Sequence, residues 1–105
     1  MTMPRQRFTN AQIEHVIEQG MIYMCACPSQ VAQGISYLRG LYDYQTNCIN
    51  TEGTDARVHA AIAKAATAAH AILEDCMQEV LDVEQWNSAT LDMPANLRKR
   101  QLDEL

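Results

Sequence analysis

The chain is short of the residues that punctuate β structure. Four glycines and three prolines in 105 residues supply too few turns for a sandwich or barrel. Positive charge is scarce as well. Eight Lys and Arg stand against thirteen Asp and Glu, a net charge of −5, which argues against nucleic acid as a partner. No long hydrophobic run occurs: the longest, residues 21–28, falls far below the roughly 20 residues of a membrane span. The opening Met1-Thr2-Met3-Pro4-Arg5-Gln6-Arg7-Phe8 carries two arginines with no apolar stretch behind them, unlike a secretory leader. Glycine-rich phosphate loops, G-x-S-x-G and H-E-x-x-H are missing too. These absences lead us to expect a cytoplasmic, non-enzymatic protein without membrane contact. Its cysteines, Cys25, Cys27, Cys48 and Cys76, should then be thiols or metal ligands and not a disulfide framework.

What is present reads as helix. Apolar residues make up 48% and charged residues 20%, ordinary for one globular domain. Thr9 and Gln12 have capping-box spacing, with Phe8 and Ile13 placed as a hydrophobic staple. Ile13, Ile17, Gly20, Met24 and Cys27 then follow at steps of four and three until Pro28 stops the run. A second helix begins at Ser29 as cap, or at Cys27 with Pro28 as first residue, and its seam is Val31, Ile35, Leu38 and Tyr42. The third has no glycine or proline from Thr54 to Val83. Its seam is Val58, Ile62, Ala65, Ala69, Ile72 and Cys76, widened by Leu73, Met77 and Val80.

We therefore expect an all-α, antiparallel up-down-up three-helix bundle over residues 9–85. An arm (residues 1–8) precedes it, and a segment with a short fourth helix (residues 86–105) follows. Two helices of about 26–28 Å beside one of about 43 Å leave the third overhanging by about ten residues. Cover for that overhang comes either from the C-terminal segment or from a second copy of the chain, so we expect a homo-oligomer.

Two constellations carry the functional expectations. The first is the end of the third helix, where Glu74, Asp75, Glu79, Asp82 and Glu84 crowd together without a base. Repulsion along that face calls for a basic partner, or for Arg98-Lys99-Arg100 folding back. Asp75, Met77, Glu79, Val80 and Asp82 are the interface residues of a self-associating module that binds a further, unidentified protein. The second is a set of soft donors. Cys25, Cys27, His70 and Cys76 come to one end of the bundle, and three thiols with an imidazole would suit zinc or copper. A helix-end thiol at Cys27 would also suit redox chemistry with Cys25. Against this, Cys25 and Cys27 point about 200° apart in a regular helix, so no cofactor is the first expectation and the metal the alternative.

Overall fold

The computed structural model describes residues 5–23, 27–47, 54–95 and 97. Among these the chain is all-α, with α1 (Asn10–Ile22), α2 (Cys27–Asn47), α3 (Thr54–Val83) and no strand. The start of α1 follows the capping-box expectation. The Thr9 hydroxyl accepts from Gln12 N–H at 3.1 Å, and the Gln12 side chain accepts from Thr9 N–H at 2.8 Å. Phe8 and Ile13, on either side of the cap, both enter the core.

α1 stops at Ile22, short of the proline, with Tyr23 as its C-cap. Thirteen residues make it only about 20 Å long. α2 already includes Cys27, Pro28 and Ser29. Ser29 is therefore inside the helix and not its cap; its hydroxyl accepts from Gln33 Nε2 at 3.2 Å. Pro28 sits in the first turn, where a missing N–H costs nothing. α3 runs unbroken for thirty residues.

α2 is the central helix, antiparallel to both neighbours. Asn10 lies beside Arg39, Gly34 beside Leu73, and Gln45 beside His59. α1 and α3 each pack along α2, and their own backbones do not come close to one another. Phe8, Trp86, Leu91, Met93 and Leu97 join Ile13, Val16, Met77 and Leu81 in one core cluster that bridges them. Because α1 begins level with Arg39, the distal parts of α2 and α3 form a two-helix projection. Hence the shape is 57 × 24 × 18 Å, with a radius of gyration of 16.4 Å against about 13 Å for a compact chain of this length.

The chain covers the far end of α3 itself. At Gln85 the backbone turns left-handed (φ 61°). Trp86 N–H donates to Leu81 O at 2.9 Å and Gln85 N–H to Asp82 O at 3.2 Å, which is a Schellman stop. Its accompanying apolar contact joins Trp86 and Leu81, both buried. Residues 86–94 then return without helix. Asn87 Oδ1 accepts from the N–H groups of Ala89 and Thr90, and Leu91 is the second left-handed residue (φ 58°). The returning strand of chain is fastened to α1: Met93 N–H donates to Gln19 Oε1 at 3.0 Å, and His15 Nε2 meets Asp92 Oδ1 at 2.6 Å. Of the fourth helix, residues 98–105 lie outside the described residues.

α3 buries a different stripe from the one its apolar spacing favours, and α2 keeps only Ile35 of its expected seam fully in the core. α3 turns Ala66, His70, Glu74, Met77 and Leu81 inward. Val58 and Ile72 are exposed, and Ile62, Ala69 and Cys76 half-buried. α2 buries Ala32, Ile35 and Arg39, leaving Val31, Leu38 and Tyr42 half-buried.

Candidate functional site

Arg39 and Glu74 form a buried ion pair at the meeting point of the arm, α2 and α3. Arg39 Nη2 donates to Glu74 Oε2 at 3.1 Å and to Phe8 O at 2.6 Å, while Nη1 donates to Asn10 Oδ1 at 2.7 Å. Glu74, with no exposed surface, also accepts from the backbone N–H groups of Arg7 (2.7 Å) and Phe8 (3.0 Å). Arg39 Nε donates to His70 Nε2 at 3.0 Å. Every one of these groups is spoken for except Glu74 Oε1, which has no hydrogen-bond partner and lies 3.8 Å from His70 Nδ1. A buried charge without its partner is strongly unfavourable. Once Arg39 and Glu74 face each other, the apolar stripes beside them are carried outward. Burial lowers the pKa of Arg39, against the pull of Glu74; a guanidinium stays charged regardless. The cluster has the chemistry of a clamp on the arm.

The arm also meets the acidic end of α3. Arg5 and Arg7 reach Asp75 Oδ1 at 2.7 and 3.0 Å, so compensation comes from the N-terminal side. Arg98-Lys99-Arg100 lie outside the described residues. Of the five interface residues expected from the sequence, Asp75, Glu79 and Asp82 are exposed and Val80 is half-buried. Met77 corrects the expectation: it is fully buried, because the arm and the returning C-terminal segment close over it.

The soft-donor set does not assemble among the described residues. Cys27 is exposed and Cys76 half-buried, and no group of three His, Cys, Asp or Glu side chains is placed to hold a metal ion. His70 is committed elsewhere, since its Nε2 lone pair takes the Arg39 proton. Cys25 lies outside the described residues. The other histidines have separate partners, His15 on Asp92 and His59 Nδ1 on Gln45 Oε1 at 2.6 Å.

The outward face of α3 is the feature with no partner in the monomer. Val58, Ile62, Ala65, Ala69, Ile72 and Cys76 keep the four-three step of a coiled-coil seam; the next step falls on the exposed Glu79 and the one after it on Val83. Yet Ile72 is 68% and Val83 76% exposed. Beside the seam an open groove of about 390 Å³ runs between α2 and α3. It is lined by Gly34, Tyr37, Leu38, Ala69, Ile72 and Leu73, with Tyr37 71% exposed.

Sequence reasoning missed Arg39 and Glu74 as a pair. The signal was there for Arg39, four residues beyond Ile35 and thus on the same stripe. Nothing in the spacing joins it to Glu74. No described helix is long and apolar enough to cross a membrane. Comparison with protein-family models, with curated proteins and with solved structures finds no match for this chain.

Proposed function

We propose that this chain is a small, non-enzymatic helical protein of the cytoplasm that works by self-association, with the outward seam of α3 and the adjoining groove as its docking surface. The observation that carries the reading is a helix that leaves Val58, Ile72 and Val83 exposed along its apolar seam while His70 and Glu74 are buried. Surface-exposed apolar residues are common singly, but a seam repeated over about five turns needs a reason. The acidic expectation narrows accordingly: the docking surface moves from the end of α3 to its outer length.

Magnitudes set the expected affinity. Burying Val58, Ile72 and Val83 from two copies would contribute on the order of 1–2 kcal/mol per side chain, against an association cost of roughly 4–15 kcal/mol. The balance is small, so the dimer should be weak. Sedimentation velocity from about 10 to 500 µM would bracket such a constant. We expect a concentration-dependent shift toward a dimer, lost in Ile72→Asp with helical content unchanged by circular dichroism. A wild-type chain that stays monomeric through that range overturns the proposal.

A further inference from the structure

We infer that the second copy docks antiparallel, α3 against α3, in a two-fold pair held in orientation by Arg57 and Lys64 of one copy facing Asp82 and Asp75 of the other. The inference rests on the self-association proposed above and adds its geometry. Arg57, Lys64, Asp75 and Asp82 succeed one another at intervals of seven, eleven and seven residues. Each such interval returns to within about 20° of the same direction on a helix, so the four share one flank of the seam. All four are exposed. The two bases stand toward the N-terminal end and the two acids toward the C-terminal end. Neither Arg57 nor Lys64 forms an ion pair among the described residues. Among the described residues the Asp82 carboxylate accepts only from Gln78, one turn before it.

Orientation follows from how flanks meet. In an antiparallel helix pair a flank faces the same flank of its partner in reversed order, whereas in a parallel pair it faces the opposite flank. On α3 the opposite flank holds Leu73 and Val80, both half-buried, and its one exposed charge is Asp55 at the N-terminal end, so a parallel pair would leave Asp75 and Asp82 with no base to face. Reversal alone brings Arg57 toward Asp82 and Lys64 toward Asp75 on both sides of the two-fold axis. Asp75 retains Arg5 and Arg7 in the monomer, which makes Arg57–Asp82 the cleaner pair to test. Ala65 and Ala69 at the middle of the seam let the helix axes approach closely there.

Sedimentation velocity on the full chain tests this with three variants: Arg57→Glu, Asp82→Lys and the double exchange. Each single variant should raise the dimer dissociation constant by about 3–10-fold, because two symmetric surface pairs turn repulsive. The double exchange should return it to within about 2-fold of wild type. Circular dichroism confirms that each variant folds. If the two single variants shift the constant in opposite directions, net charge alone is at work and the antiparallel pair is overturned. Losses that simply add in the double variant overturn it as well. In both cases a wild-type dimer abolished by Ile72→Asp leaves the self-association reading standing. A wild-type chain that remains monomeric removes the reading and the inference together.

Discussion

Arg39 Nε and His70 Nε2 are 3.0 Å apart, and that one contact fixes the protonation of the histidine. A guanidinium N–H only donates, so Nε2 must offer its lone pair and the ring proton sits on Nδ1. Buried His70 is thus a neutral imidazole between a cation and a carboxylate. Burial, first of all, lowers its pKa; Arg39 and Arg5 push the same way and Glu74 opposes them.

A lowered value in the folded chain means that the unfolded chain binds more protons near pH 6. The stability contributed by neutral His70 is complete above the ordinary value of about 6.5 and is lost as pH falls through the lower folded value. Urea unfolding at a series of pH values should give a free energy that declines below about pH 6.5. His70→Gln keeps an acceptor for Arg39 and has no proton to gain, so the decline should be shallower in that variant. Equal slopes in the two chains would contradict the assignment.

Removing one member of the ion pair should cost far more than removing both. Arg39→Met leaves the Glu74 carboxylate buried with no cation, at about 3–5 kcal/mol. Adding Glu74→Met should recover a large part of that loss. A double-mutant cycle by urea denaturation measures the coupling, and additive losses would show that the pair is energetically idle.

Gln85 occupies a left-handed position that costs a residue with a β-carbon roughly 1–2 kcal/mol. Glycine removes that cost and adds about 0.5–1 kcal/mol of chain entropy to the unfolded state. Gln85→Gly should therefore raise stability by about 0.5 kcal/mol, read as a higher urea midpoint at unchanged slope. A lowered midpoint would mean that the Gln85 side chain matters to the Schellman stop.

The two described glycines inside α2 should respond differently to alanine. A β-carbon at Gly40 meets nothing within 4 Å, while one at Gly34 meets Leu73 Cδ1 at 3.0 Å. Gly40→Ala should stabilise the chain by about 0.5–1 kcal/mol. Gly34→Ala gains the same helix propensity but must push the end of Leu73 into the groove, so its gain should be smaller. Thermal unfolding midpoints of the two variants give the order, and the reverse order would contradict the close approach at Gly34.

Much of this architecture is legible locally. The capping box at Thr9, the staple of Phe8 and Ile13, and the absence of glycine or proline between Thr54 and Val83 each depend on neighbours within a few residues. So does the mismatch between short and long helices, which points to a far end of α3 that needs cover. The soft-donor set was harder, because height along a bundle says nothing about which way a side chain turns. His70 shares the expected level and faces Arg39.

The sequence by itself determined the three helices of the described residues, where α1 begins, and that the longest outruns its neighbours, since backbone hydrogen bonding and side-chain spacing act over one or two turns. Which stripe each long helix buries was decided only in the tertiary structure. Spacing favours the seam of Val58, Ile62 and Ile72, but a charge buried at Arg39 can be tolerated only opposite the Glu74 carboxylate and the Phe8 carbonyl. That requirement joins residues more than thirty positions apart and turns both helices toward it. The apolar seam is left on the outside.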